Sequence, residues 1–165
     1  MMKIFKDQIE NFYKWVKGTE LVELESVDVT EDPVRPELSL EWRLDKGRKI
    51  FGLKYENSIE GVICVAFTNE IPKTVKELEL MSELADLKGE KNIAIAYTVW
   101  SRKRGAGKEI IKKVVNYAKN NGVKRCVTLS PLSPMATHFH VKNGAKLISI
   151  NDTSQNFEYK LQDKK

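Results

Sequence analysis

The sequence predicts a mixed α/β fold of the α+β kind, a mostly antiparallel sheet flanked by helices. Three observations carry this. Short apolar stretches, alternating or continuous, fit strands at 38–44, 49–55, 62–67, 93–100, 123–129, 145–150 and 156–161. Among them lie segments whose apolar residues recur every three or four positions, the spacing of one helix face. Glycine, proline and asparagine punctuate the junctions, with no internal repeat, low-complexity stretch or long linker. A chain of 165 residues suits one domain with its own core.

Phe5, Ile9, Phe12, Trp15 and Val16 predict an amphipathic helix over about 4–17, stopped by Gly18. Residues 19–36 are acidic and hold Pro33 and Pro36; with Leu21-Val22-Glu23-Leu24 inside, they read as a loop containing a short helix or strand. The alternation Leu38, Leu40, Trp42, Leu44 predicts a strand with one buried face, and Asp45-Lys46-Gly47 turns it into a second strand, Lys49–Tyr55. After a turn at 57–61, Val62–Phe67 is a continuous apolar run, as in an interior strand. Pro72 and Thr74 open a helix over 74–85 bearing Val75, Leu78, Leu80, Met81 and Leu84, with Thr74 as N-cap and Glu77 three residues on. Gly89 follows it, and Ile93–Trp100 is the next strand. Beyond a glycine turn comes a helix with Ile110, Ile111, Val114, Val115 and Ala118 on one face, ended by Asn121-Gly122. Val123–Leu129 reads as a buried strand and 134–143 as a short helix. Ala145–Ile150 and Asn156–Leu161 are the last strands, joined by a polar turn at 151–154.

No apolar run approaches the ~20 residues of a membrane-spanning helix. The segment Met1–Asp7 lacks the apolar stretch of a signal peptide, so a cytoplasmic protein is expected. Cys64 and Cys126 stand alone inside apolar runs, without partners at metal-ligand spacing; they read as buried thiols, and no metal site is expected. Charge is unevenly spread. Residues 1–90 hold 13 basic against 19 acidic side chains, a net of −6, whereas residues 91–165 hold 15 against 4, a net of +11. A basic half attracts nucleic acid or a phosphorylated small molecule. Lys112, Lys113, Lys119, Lys124 and Arg125 read as a solvated helix face and its continuation, with no nucleic-acid motif beside them. Arg102-Lys103-Arg104 instead adjoins glycines at a strand-to-helix junction, which favours a compact phosphate ligand.

The segment Arg102-Lys103-Arg104-Gly105-Ala106-Gly107-Lys108 joins a strong strand to a strong helix. A helix N-terminus offers unpaired N–H groups and the positive end of its dipole, and glycines let a phosphate reach the backbone. The competing reading is a glycine-containing turn with solvated charges. Arg102-x-x-Gly105-x-Gly107 resembles the (Gln/Arg)-x-x-Gly-x-(Gly/Ala) signature of the GNAT acetyltransferases, after the fourth strand and at the head of the next helix. A second segment, Ser133–Ala145, is similar to that family's later Asn-x-x-Ala-x-x-(Leu/Phe)-Tyr-x-Lys-x-Gly-Phe pattern, keeping Ala136, Phe139, Lys142 and Gly144 in register. The resemblance covers residues 91–150 and implies a twisted sheet of six to seven strands with the fourth and fifth splayed. It makes the helix at 74–85 an insertion. Four positions depart from the pattern: His140 stands for the family's Tyr, Ser133 for Asn, Ala145 for Phe, and the usual Pro before the glycine turn is missing.

What the resemblance implies is direct acetyl transfer from acetyl-CoA to an amine. The backbone amides of Lys103, Arg104, Gly105, Ala106, Gly107 and Lys108 would hold the pyrophosphate, with Arg102 and Arg104 as phosphate contacts. Thr98, Val99 and Trp100 would meet the pantetheine, and Ser133, Ala136 and Phe139 complete the cofactor site. A backbone N–H near Val99 would polarise the thioester carbonyl. His140 becomes the candidate acid, its ordinary pKa of ~6.5 lying near physiological pH, while His138 matches no family position. The base would be a carboxylate, with Glu41, Glu56 and Glu70 as candidates, and the acidic N-terminal half suits a cationic acceptor. Exposed strand edges allow a homodimer. Two other classes stay open. Thr128-Leu129-Ser130-Pro131 followed by Pro134 is similar to a stretch of malonyl-CoA decarboxylases, whose GNAT-like catalytic domain uses a Ser/His pair; Ser130 with His138 or His140 would supply it. The missing Tyr also fits a GNAT-fold binding module without catalysis, contacting a protein or nucleic acid.

Overall fold

A computed structural model gives the architecture of residues 2–161; Met1, the start of the N-terminal heptapeptide weighed above, lies outside these described residues. The order is α1 (Met2–Gly18), β1 (Thr19–Leu24), a 3₁₀ turn (Val29–Glu31), α2 (Leu40–Leu44), β2 (Arg48–Tyr55), β3 (Ser58–Thr68), α3 (Val75–Leu87), β4 (Ile93–Ser101), α4 (Ala106–Asn120), β5 (Arg125–Thr128), β6 (Ser130–Pro131), α5 (Pro134–Lys142), β7 (Lys146–Ile150) and β8 (Ser154–Tyr159). The strands form one sheet in the order β1-β2-β3-β4-β5-β8-β6, with β7 on β8. Among these pairs β4–β5 is parallel and the others are antiparallel. This is the expected fold class, with eight strands where six to seven were predicted; the two-residue β6 is too short to leave a period in the sequence.

Strand β3 explains why 62–67 is apolar throughout. Ile63, Val65 and Phe67 pack with Phe51, Ile110, Val114 and Phe157 on the α4 side. Val62, Cys64 and Ala66 pack with Ile50, Leu78, Ile95 and Val127 on the other. A strand covered on both faces needs no polar alternation. Cys64 and Cys126 are both buried free thiols. Helix α3 starts where its cap was read, with Thr74 Oγ1 accepting from Glu77 N at 3.0 Å.

Two expectations change. Residues 38–44 form no strand. Ser39 Oγ accepts from Trp42 N at 3.1 Å and caps α2 instead, and Arg43, inside the alternation, is drawn into a buried ion pair with Asp32 at 2.7 Å. The edge strand is β1, within the segment read as a loop; Leu21 lies opposite Leu53 and Leu24 opposite Ile50. The strand count before the glycine turn is therefore unchanged, and β4 is still the fourth. Helix α1 forms as the periodicity predicts, yet Trp15 is its buried residue, while Phe5, Ile9 and Phe12 stay 65%, 54% and 55% exposed. Periodicity marks an apolar face without naming what covers it.

Candidate active site

Strands β4 and β5 run parallel from Ile93 opposite Arg125 to Ala96 opposite Thr128, closed by Leu129 N donating to Ala96 O at 3.0 Å. Beyond that bond they part. β4 continues along β3 to Ser101, while the chain after β5 turns into β6, which pairs with β8. A cavity of about 390 Å³ fills the fork, lined by Tyr97, Thr98, Val99, Trp100 and Ser101 on one side and Leu129, Ser130 and Pro131 on the other; Gly107, Ser133, Ala136, Phe139 and His140 close it below and Glu31 and Val34 above. The fork has a local cause. Val65 lies opposite Ala96 and Cys64 opposite Thr98, so Tyr97 is an extra residue, a β-bulge in β4. Ala96 O accepts from Leu129 N and Tyr97 O from Arg35 Nε at 3.0 Å, so two consecutive carbonyls open toward β5. Strand alternation then returns the polar backbone of Val99 to the same gap.

At the end of β4 the chain makes the glycine turn. Arg102 N donates to Glu60 O at 2.8 Å, and Ala106 N to Lys103 O at 3.0 Å. Gly105, the N-cap of α4, sits at φ 90°, a left-handed conformation that L side chains rarely adopt. Among the described residues, the N–H groups of Gly107 and Lys108 have no protein acceptor. They stand at the head of a 15-residue helix, where the dipole favours an anion. A Cβ on Gly107 would lie 3.0 Å from the Phe139 ring, so glycine allows α5 to close against α4 here. The residues present therefore fit a diphosphate-bearing ligand with an arm lying in the fork.

The basic side chains divide. Arg102 does not reach out from the turn: Nε and Nη2 donate to Glu31 Oε1 at 2.9 and 2.8 Å. Lys103 Nζ lies over the rings of Trp15 and Tyr55, at 4.9 and 5.8 Å from their centroids. Arg104 and Lys108 are exposed beside the turn.

His140 is on the cavity wall, 7% exposed, with Nδ1 at 2.7 Å from Tyr159 Oη and its ring stacked on Phe157. Burial lowers its pKa from 6.5 to about 4, so the ring is neutral at physiological pH. The ordinary histidine pKa expected from the sequence is therefore replaced by a depressed one, and the imidazolium is not the resting state. The same shift predicts a pH effect on stability. A ring that is neutral when folded and ordinary when unfolded contributes fully above pH 6.5, and the contribution fades as pH falls toward 4. About 3 kcal/mol should be lost across that window. Urea denaturation at a series of pH values should show that slope in the wild type and a flatter one in His140→Gln; equal slopes would refute the shift.

His138 is exposed and faces a shallow depression on the other side of α5. Ser133 caps α5, its Oγ accepting from Ala136 N at 3.1 Å, with Pro134 next at the favoured first position. Ser130 Oγ is 2.8 Å from Thr128 Oγ1, and Ser130 shares the cavity with His140.

The three carboxylates proposed as bases do not line the cavity. Glu70 follows β3 at the end where Thr68 lies opposite Ile93, the far end of β4 from the fork. Glu41 is exposed on α2, and Glu56 sits in the β2–β3 turn. The carboxylate that does line it is Glu31, missed because its loop carries no motif. Its place is set by Asp28, which caps the 3₁₀ turn by accepting from Thr30 N at 3.0 Å, and by the pair with Arg102.

Comparison with known proteins agrees with this fold. No curated protein matches the sequence. Malonyl-CoA decarboxylase from Cupriavidus metallidurans shares the fold at 22% identity and a TM-score of 0.52, over 77% of this chain and 34% of that one; the chain thus spans about a third of that protein's length. An acetyltransferase from Thermus thermophilus aligns at 14% identity and TM-score 0.55, over 87% and 97% of the two chains. A Bacillus subtilis acetyltransferase, solved in complex with CoA, aligns at 9% identity and TM-score 0.56, over 85% and 95%. Residues 9–145 match the profile of the acetyltransferase (GNAT) family, and the chain belongs to that family.

Proposed function

We propose that the protein transfers an acetyl group from acetyl-CoA directly to an amine. The observation that supports this best is the fork between β4 and β5 opening onto an N-terminal helix turn whose amides lack acceptors. The amides of the 103–108 turn, with Gly107 and Lys108 foremost, hold the diphosphate, and Arg104 and Lys108 add charge. Arg102 acts through Glu31 rather than on phosphate. The backbone of Thr98 to Trp100 lies along the pantetheine arm, and Val99 N–H polarises the thioester carbonyl. In the tautomer in which Tyr159 Oη donates to Nδ1, neutral His140 presents its Nε2–H as a hydrogen-bond donor to the departing sulfur. The proton released by the attacking amine is the one that the sulfur finally takes. Glu31 replaces Glu41, Glu56 and Glu70 as the carboxylate that draws a proton from the amine, directly or through water, and it suits a cationic acceptor. The chain acts as one domain in the cytoplasm. A homodimer would form through β7, an edge strand that exposes Leu147 and Ile150.

A second reading, decarboxylation of malonyl-CoA, is favoured by one observation: Ser130 and His140 line the same cavity. Mass spectrometry separates the two. Acetyl-CoA with a panel of polyamines, lysine peptides and aminoglycosides should yield free CoA in step with acetylated amine. If no amine is acetylated and malonyl-CoA alone yields acetyl-CoA and CO2, the second reading replaces the first. CoA binding without either turnover would leave a binding module.

A further inference from the structure

We propose that Arg35 is a positioning residue whose single guanidinium, strapped across the fork of β4 and β5, fixes the width of the gap that receives the pantetheine arm. The inference rests on the CoA-thioester reading above. Arg35 Nε donates to Tyr97 O at 3.0 Å and Nη2 to Leu129 O at 3.1 Å. Those carbonyls belong to the two sides of the fork, immediately past the last shared bond, Leu129 N to Ala96 O. Two carbonyl oxygens facing one gap are both acceptors and cannot pair with each other, so a donor must stand between them. The planar guanidinium offers two donors at fixed spacing, which a lysine ammonium does not.

The backbone carrying Arg35 is itself tied down. Arg35 N donates to Asp32 Oδ1 at 3.0 Å, and Arg35 O accepts from Arg43 Nη2 at 2.6 Å. Asp32 and Arg43 form a fully buried pair at 2.7 Å. Asp32 Oδ1 also accepts from Thr98 Oγ1 at 2.8 Å, so the carboxylate that orients Arg35 reaches β4 as well. The segment 32–35 is thus a clasp, with Asp32 on Thr98 and Arg35 on both Tyr97 and Leu129. The bulge at Tyr97 opens the fork, and the loop fixes its width from outside.

The test uses Arg35→Met and Arg35→Lys in the full chain, with two ligands titrated separately: CoA, and its phosphoadenosine diphosphate half without the pantetheine arm. Losing a charged donor on each strand should weaken CoA binding by Arg35→Met at least about tenfold, with the half-ligand unchanged within about twofold. Arg35→Lys should recover thermal stability but not CoA affinity. Amide exchange at Leu129 should quicken at least about tenfold in Arg35→Met as the last shared bond frays. Unchanged CoA affinity, equal loss of both ligands, or full recovery by Arg35→Lys would each overturn the proposal. If the wild type binds neither ligand, the CoA reading fails, and an unchanged Leu129 exchange rate would still refute the clasp independently.

Discussion

Replacing Asp32 by alanine is expected to destabilise the protein by about 3–5 kcal/mol, the cost of leaving a buried charge without its partner. Arg43 is wholly buried, as is the carboxylate it pairs with at 2.7 Å, and it also donates to Leu38 O, Arg35 O and Cys64 Sγ. Asp32 also accepts from Val34 N, Arg35 N and Thr98 Oγ1. Burial raises the pKa of this carboxyl, and the hydrogen bonds from Arg35 N, Arg43, Val34 N and Thr98 outweigh it, holding the group below the usual range. The sign follows: this stabilisation is present above the ordinary aspartate pKa of 3.8 and is lost as pH falls through the lower folded value. That window lies below the one for His140, so the two contributions separate in a pH series. Denaturant unfolding of Asp32→Ala measures the effect; a loss below about 1 kcal/mol would mean that the network is not what holds the loop over the fork.

The second large effect falls on ligand binding. Gly105→Val and Gly107→Leu should each weaken CoA binding by about 100-fold or more, since displacing the turn loses two charge-assisted amide contacts worth about 1.5–3 kcal/mol each. The causes differ. Gly105 holds φ at 90°, where a β-branched side chain is strained. At Gly107 the added side chain meets Phe139, which lines the same cavity, and pushes α5 from α4. Calorimetric titration of both variants, with circular dichroism to show that they fold, distinguishes a lost site from a lost fold. Near wild-type affinity in both would place the ligand elsewhere.

The stretch from β4 through α5 is legible because its signals are local: the apolar run Ile93–Trp100, the glycine turn, the apolar face of α4 and the Ser133–Ala145 segment each lie within one short stretch of sequence. The first third of the chain was read less well for the opposite reason. β1 exists because Leu21 and Leu24 meet β2, and α2 replaces a strand because Asp32, 11 residues away, claims Arg43. The roles of Glu31 and Arg35 come from partners 62 to 94 residues distant, and an acidic loop gives no sign of them. The bulge at Tyr97 is a matter of register against β3, which composition does not reveal. His140 was found by its position in a motif, yet its protonation is set by burial among Phe139, Phe157 and Tyr159, two of them from β8.

The measurement that tests the central claim most directly is calorimetric titration of CoA into the wild-type protein. A fork opening onto an acceptor-free helix turn predicts saturable one-to-one binding that Gly107→Leu weakens by about 100-fold or more. Absence of saturable heat at millimolar CoA, in a protein shown to be folded, would contradict the assignment of this cavity as a CoA site.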